Sequence, residues 1–164
     1  MDLLWGKSPI AKIAMRSDNG NKVLGAQIEP PDDLTAINLA NLLLSLEGDY
    51  VVIHDDESPV FRAWLERDGT DQTRERITVV PCQRNECHRN CAAMWKSSPD
   101  TVSIVTGYCL SSDAMWREHS WLIDDSDNII ETTVPRTRYF GIRLNGENAQ
   151  EFCDVILVPA PLGV

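Results

Sequence analysis

The sequence predicts an α+β protein of one domain, with a mixed N-terminal part over residues 1–76 and a helix plus an antiparallel sheet over residues 77–164. Apolar residues recur at helical spacing in several segments before residue 97, whereas β-like runs separated by turns fill the chain from residue 101 onward. A chain of 164 residues fits one domain, and it contains no repeat or linker-like stretch that would divide it.

The N-terminal part is predicted to combine strands with two helices. Residues 1–30 hold short apolar runs around a turn at Ser17–Gly20, which predicts a strand or two. Asp32 to Thr35 resembles a helix start, and leucine-rich apolar residues at helical spacing extend this helix to Gly48. The segments that follow are predicted as a buried strand, a second helix and a surface loop, at Tyr50–His54, Pro59–Arg67 and Asp68–Arg76.

The C-terminal part is predicted to hold one short helix among strands. Ile77–Val80 is typical of a strand, which Pro81 ends. Asn90–Lys96 has good helix propensity, and Cys87 is predicted to lie near the first turn of this helix. The later runs are predicted to form an antiparallel meander, at Val102–Leu110, His119–Asp124, Asn128–Thr133, Tyr139–Leu144 and Val155–Val158.

The segment Asp124–Asn128, between two of these runs, has the composition of a tight turn. Asp, Asn and Ser side chains bond to the local backbone and tolerate unusual backbone angles. A hairpin here places His119 and Glu131 on neighbouring strands, near the same end.

The charge balance and the short apolar runs argue against two kinds of partner, nucleic acids and membranes. Asp and Glu number 25 against 15 Lys and Arg, which gives a formal net charge of −10. Nucleic-acid binding is not expected, because the phosphate backbone favours clustered Lys and Arg. No apolar run approaches the roughly 18 residues that span a bilayer, so no membrane partner is expected. The acidic surface is either simply solvated or a face for a basic partner protein, and the oligomeric state is left open.

The N-terminus and the cysteines together indicate a reducing compartment. The first residues, Met1 to Lys7, include neither a basic leader nor a long apolar stretch, so a cytoplasmic location is expected. Five cysteines is an odd number in a chain long enough to fold without crosslinks. We therefore expect free thiols that can act as nucleophiles or metal ligands.

Cys87 is the candidate nucleophile. A thiol attacks as its thiolate, so a nucleophilic cysteine needs partial exposure and a helix N-terminus or an imidazolium to lower its pKa. Polar residues surround Cys87, whereas Cys91, Cys109 and Cys153 have apolar neighbours that favour burial.

His119 is the candidate base. It alternates with apolar residues along a predicted strand, so it is predicted to face the covered side, whereas His88 is expected to be an exposed helix residue. Across the hairpin, Glu131 is predicted to orient the imidazole by accepting its second N–H, with Asp124 and Asn128 as alternatives.

These residues resemble the core of the papain-like and transglutaminase-like superfamily over about half of the chain. The features that carry the resemblance are a cysteine that opens a helix after an extended segment, a strand with Gly107-Tyr108, then His119-Ser120-Trp121, and then Glu131-Thr132-Thr133. The resemblance implies a fold in which the helix bearing the cysteine packs on an antiparallel sheet.

The resemblance also implies the role of each site residue. Cys87 is the implied nucleophile, His119 the general base, and Glu131 the orienting acid, at a position where Asp or Asn is usual. By the same analogy Gln83, upstream of the cysteine, is predicted to donate its side-chain amide to the oxyanion. The alternative is that Gln83 is an ordinary surface loop residue.

The predicted function is that of a cysteine-dependent hydrolase or acyl transferase, which cleaves an amide or ester bond of a protein, a peptide or a small molecule through a thioester. Peptidase, amidase, deamidase and transglutaminase reactions share this first step, and no cofactor is expected. One alternative is a noncatalytic acidic protein-binding module of the inhibitor or immunity type. Another is a zinc-binding domain, which would lack a second knuckle; its ligands would be Cys82, Cys87, His88 and Cys91.

Overall fold

A computed structural model describes residues 11–15, 23–24, 33–54 and 57–158. These residues form four helices and a mostly antiparallel sheet, so the predicted α+β class is confirmed. The helices are α1 Leu34–Leu46, α2 Pro59–Asp68, α3 Cys87–Ser97 and α4 Gly146–Ile156. The strands are β1 Ala11–Met15, β2 Val23–Leu24, β3 Tyr50–His54, β4 Thr70–Asp71, β5 Ile77–Val79, β6 Val102–Leu110, β7 Met115–Asp124, β8 Ile129–Glu131 and β9 Arg138–Arg143. None of these described helices is long and apolar enough to cross a membrane.

The chain divides into two compact units, and the first contains the N-terminal elements. It comprises the described residues of Met1–Thr73, Gly107–His119 and Arg136–Ile142. Its strands follow the order β2-β1-β3-β7-β6-β9-β4. β1 pairs antiparallel with β2 and with β3, whereas β3 pairs parallel with β7. The predictions of strands before residue 30 and at Tyr50–His54 are confirmed, while the predicted turn at Ser17–Gly20 lies outside the described residues.

The first helix begins and ends close to where the sequence predicts. The Asp33 side chain accepts a hydrogen bond from the backbone N–H of Thr35 at 2.9 Å and caps α1. Gly48 follows the helix with a φ of +81°, and a Cβ there would lie 2.7 Å from the side chain of Leu110. Glycine is therefore the residue that this chain reversal accepts. The buried face of α1 consists of Ala36, Leu39, Ala40, Leu43 and Leu44.

The second unit holds the cysteine-bearing helix and the predicted hairpin. It comprises the described residues of Arg74–Thr106, Ser120–Pro135 and Arg143–Val164. β8 pairs parallel with β5 and antiparallel with β7. The Asp124 side chain closes the turn between β7 and β8 by accepting two backbone N–H bonds of 2.9 Å from within it. The predicted hairpin is confirmed.

The prediction of a strand at Val155–Val158 is wrong, because α4 continues through Ile156 and the two residues after it lie in a turn and a bend. The Asn145 side chain accepts a hydrogen bond of 2.9 Å from the backbone N–H of Asn148 and caps α4. The buried residues of α4 recur at helical spacing, at Ala149, Phe152 and Cys153. Packing of that face outweighs the β propensity of the valines at the end of the helix.

The predicted antiparallel meander is also incomplete as a description of the strands. β3 with β7 and β5 with β8 are parallel pairs, and β9 pairs with β6 instead of β8. The two-residue strand β4 lies within the predicted surface loop and pairs with β9. All of these pairings join segments that are distant in sequence, so local patterns do not specify them.

Candidate functional site

Cys87 is the first residue of α3 and is half-buried. The chain turns at Arg84–Asn85, where Asn85 adopts a φ of +58°, before it enters the helix. The Asn90 side chain donates a hydrogen bond of 2.8 Å to the backbone carbonyl of Gln83, which ties this turn to the first turn of α3. The backbone N–H groups and the positive end of a helix are surroundings in which the pKa of a cysteine is lowered. Its position at the start of the helix agrees with the sequence prediction.

The cysteines differ sharply in exposure, and all five lie within the described residues. Cys82 is exposed and Cys87 is half-buried, whereas Cys91, Cys109 and Cys153 are buried. Burial raises the pKa of the Cys153 thiol to about 11, and the thiol donates to the carbonyl of Ala92 at 3.6 Å. Buried thiols of this kind stay protonated and are poor nucleophiles.

Cys91 lies one helical turn after Cys87 on α3 and is buried. Burial raises the pKa of the Cys91 thiol well above its ordinary value, and negative charge on Cys87, on Glu131 and on Cys82 raises it further. The nearby hydroxyl of Thr132 acts in the opposite direction. The Cys91 thiol therefore stays protonated and is a poor nucleophile.

Glu131 is the last residue of β8, and its exposed fraction is 0%. Its Oε1 accepts two hydrogen bonds from Thr133, from the backbone N–H at 2.9 Å and from the hydroxyl at 2.8 Å. Its backbone carbonyl accepts from the N–H of Val80 at 2.9 Å, beyond the end of β5. The carboxylate is thus buried and held in one orientation by its own strand end.

The two alternatives to Glu131 are engaged in the turn before β8. Hydrogen bonds from the backbone and side chain of Asn128 lower the pKa of the Asp124 carboxyl, and the Asn128 amide lies 3.2 Å from both carboxylate oxygens. These contacts stabilise the hairpin. Glu131 is therefore the better-supported candidate for an orienting acid.

His119 lies on β7 with an exposed fraction of 3%, as expected for a strand residue that faces a covered side. It belongs to the first compact unit, whereas Gln83, Cys87 and Glu131 belong to the second. β7 and β8 are neighbouring strands, with Leu122 opposite Ile130. The action of His119 on Cys87 stays a prediction.

His88 is not the exposed helix residue that the sequence predicts. It is half-buried, and its Nδ1 is hydrogen-bonded to the hydroxyl of Ser120 on β7 at 2.7 Å. The Ser120 hydroxyl donates in turn to that of Thr106 on β6 at 3.1 Å. The imidazole also packs edge-on against Phe152 of α4, with ring centres 6.2 Å apart. His88 therefore fixes α3 within its unit.

Gln83 is exposed in the loop before α3. Its backbone carbonyl accepts a hydrogen bond from the side-chain amide of Asn90. An oxyanion role for its side-chain amide stays a prediction.

The first unit contains a buried polar cluster that the sequence does not predict. The hydroxyl of Tyr108 on β6 donates to Oε2 of Glu57 at 2.7 Å, and Arg62 of α2 donates to the backbone carbonyl of Glu57 and to the Asp33 carboxylate. Burial, and then the charge of Glu118, raises the pKa of Glu57 to about 8. In the sequence Glu57 follows two other acids, Asp55 and Asp56, and stands two residues before the start of α2, so no local pattern marks it as buried.

Within the described ranges of the chain, no group of three or more His, Cys, Asp and Glu side chains is placed to hold a metal ion. The four residues considered for a zinc site differ in their surroundings: Cys82 is exposed in a loop, Cys87 starts a helix, Cys91 is buried, and His88 is bonded to Ser120.

Comparison of the chain with protein-family models, with curated proteins and with solved structures finds no match. The papain-like and transglutaminase-like resemblance therefore rests on the residues themselves.

Proposed function

We propose that this protein is a cysteine-dependent hydrolase or acyl transferase with Cys87 as its nucleophile. One observation carries the proposal: Cys87 opens α3 and keeps partial exposure, whereas Cys91, Cys109 and Cys153 are buried. A helix N-terminus is the environment that lowers the pKa of a cysteine and makes it nucleophilic.

In the proposed reaction the Cys87 thiolate attacks the carbonyl carbon of an amide or ester. The oxyanion that forms receives hydrogen bonds from the backbone N–H of Cys87 and from the side-chain amide of Gln83. His119 protonates the leaving amine or alcohol as the carbon–nitrogen or carbon–oxygen bond breaks, which leaves a thioester on Cys87. Water or an amine then attacks the thioester, and His119 removes its proton.

Glu131 is proposed to hold the imidazole of His119 in the productive orientation by accepting its other N–H. Complete burial and the two bonds from Thr133 support this role, because an orienting carboxylate must itself be fixed.

Alkylation by iodoacetamide at about pH 6, where an ordinary thiol of pKa about 8.5 is almost fully protonated, tests the proposal. Cys82 is the matched control, because it is more exposed than Cys87 and lies on the same segment. Exposure alone predicts that Cys82 is modified first. We expect Cys87 to react at least about tenfold faster, because it carries the larger thiolate fraction.

The variant His119→Ala separates activation by the helix from activation by the imidazole. We expect its Cys87 alkylation rate to fall toward that of Cys82, with the far-UV circular dichroism unchanged. Wild-type Cys87 that reacts no faster than Cys82 would refute the nucleophile assignment, and an unchanged rate in a folded His119→Ala variant would refute the role of His119.

A further inference from the structure

The two cysteines that keep solvent exposure lie on one short segment of the second unit. Cys82 is exposed in the loop after β5, and Cys87 is half-buried at the start of α3. The other three cysteines are buried, and burial raises the pKa of Cys91 and of Cys153. Oxidants in solution therefore meet Cys82 and Cys87 before any other thiol of the chain.

The backbone of this segment is held at both of its ends. The N–H of Cys82 donates to the carbonyl of Thr132, just beyond β8, at 3.1 Å. The chain then reverses at Arg84–Asn85, and the bond between Asn90 and the carbonyl of Gln83 fixes the turn against α3. A reversal between two cysteines returns the second toward the first.

Cys91 is the third cysteine of this segment, and it is buried. Burial raises the pKa of the Cys91 thiol well above its ordinary value, and negative charge on Cys87 and on Cys82 raises it further. Cys91 itself is a poor partner for oxidation, because a fully buried thiol of raised pKa forms little thiolate. The accessible pair is Cys82 with Cys87.

We propose that Cys82 and Cys87 form a reversible disulfide when the protein meets a peroxide, and that this disulfide protects the Cys87 sulfur from irreversible oxidation. Formation of the disulfide requires only that Cys87 reacts as a thiolate. Its consequence, a reversible block of acyl transfer, rests on the proposed function.

The chemistry proceeds in two balanced steps. The Cys87 thiolate attacks one oxygen of hydrogen peroxide, the O–O bond breaks, and sulfenic acid and hydroxide form. The Cys82 thiolate then attacks the Cys87 sulfur and expels its hydroxide, which takes a proton and leaves as water. Sulfur loses two electrons in total, and one peroxide is reduced to two waters. A dithiol reductant reverses the result by thiol–disulfide exchange.

Tryptic digestion of the whole protein identifies the disulfide without ambiguity, because Arg84 and Arg89 separate the three neighbouring cysteines. Cys82, Cys87 and Cys91 fall in three different peptides, Ile77–Arg84, Asn85–Arg89 and Asn90–Lys96. After treatment with hydrogen peroxide and blocking of free thiols, we expect mass spectrometry to find the first two peptides linked, and to find them separate after dithiothreitol. A link from Cys87 to Cys91, or a Cys87 peptide that is oxidised but never linked, would overturn the proposal.

Cys82→Ser removes the resolving thiol from an exposed position and is expected to fold normally. In this variant we expect Cys87 to proceed to sulfinic acid, which dithiothreitol does not reduce, so alkylation of Cys87 is not recovered. Full recovery in Cys82→Ser would show that Cys82 protects nothing. Cys109→Ala is the control, since Cys109 is buried, and its linked peptide should form as in the wild type.

The two proposals fail in distinguishable ways. Preferential alkylation of Cys87 without a linked peptide refutes the disulfide and leaves the proposed function standing. A linked peptide in a protein whose Cys87 alkylates no faster than Cys82 supports the disulfide and refutes the proposed function.

Discussion

Glu57 shows how far a single buried residue departs from its behaviour in water. Its exposed fraction is 6%, and its partners are the hydroxyl of Tyr108 and the guanidinium of Arg62, which lies 3.7 Å from Oε2. Both partners favour the carboxylate, but burial and the charge of Glu118 favour the protonated form more strongly. The pKa of Glu57 is consequently raised from 4.5 to about 8.

This raised pKa predicts a pH dependence of stability. Between pH 4.5 and about 8 the folded protein keeps a proton on Glu57 that the unfolded chain has released. The contribution of Glu57 to the free energy of unfolding is therefore fully present below this range, falls as the pH rises through it, and levels off above about pH 8. Urea unfolding at several pH values across the range measures the slope.

The variant Glu57→Gln keeps the size of the side chain and cannot ionise. We expect its free energy of unfolding to depend less on pH than that of the wild type over the same range. Glu75→Gln, at an exposed position, is the control and should leave the wild-type slope in place. Equal slopes for Glu57→Gln and the wild type would contradict the raised pKa.

At the scale of one element, Gly48 offers the clearest test of how a helix end is specified. An alanine there must adopt a positive φ and bring its Cβ to 2.7 Å from the side chain of Leu110 and 3.0 Å from the indole of Trp116. We expect Gly48→Ala to lower the free energy of unfolding by about 1–2 kcal/mol from the backbone alone, with the clash adding to this loss. Urea denaturation provides the measurement.

Gly146→Ala is the matched control for Gly48→Ala. Gly146 is the first residue of α4, and a Cβ there would lie more than 4 Å from the described atoms outside its own neighbours. We expect a change within about 0.5 kcal/mol, or a slight gain, because alanine restricts the unfolded chain. A Gly48→Ala variant as stable as this control would show that the reversal after α1 accepts any residue.

Elements defined by local chemistry were predictable from the sequence, and those defined by distant partners were not. The Asp33 cap, the helical leucines of α1 and the Asp124 turn all act within a few residues, so their patterns are visible in the chain. The parallel pairing of β5 with β8 depends on segments about 50 residues apart, for which no local signal exists. In α4 the valines favoured a strand, whereas the apolar spacing around Phe152 decided for a helix.

The candidate site divides in the same way. Local patterns predict Cys87 at the start of a helix and Glu131 on the second strand of a hairpin. The structure has both residues in these elements. The bond from His88 to Ser120 spans 32 residues and that from Tyr108 to Glu57 spans 51, so neither was visible in the sequence. Contacts of this range are set by the packing of whole elements.

At the scale of the whole molecule, the two compact units are interleaved along the chain. β6, β7 and β9 each contribute residues to both units, and the chain passes from one unit to the other within each of these strands. When one of these strands loses its pairing in one unit, we expect the residues that the same strand contributes to the other unit to lose their pairing as well. We expect the two units to unfold in one cooperative transition, as the prediction of a single domain requires.

Deuterium labelling along a urea titration, read by mass spectrometry, follows each unit separately, because α1 belongs to the first unit and α3 to the second. We expect the amides of both helices to lose protection at the same urea concentration. Gly48→Ala, which lies in the first unit, should lower that concentration for α3 as much as for α1. Loss of protection in α1 at lower urea, with α3 unaffected by the substitution, would show that the two units unfold as independent domains. The borders between those domains would then fall within β6, β7 and β9.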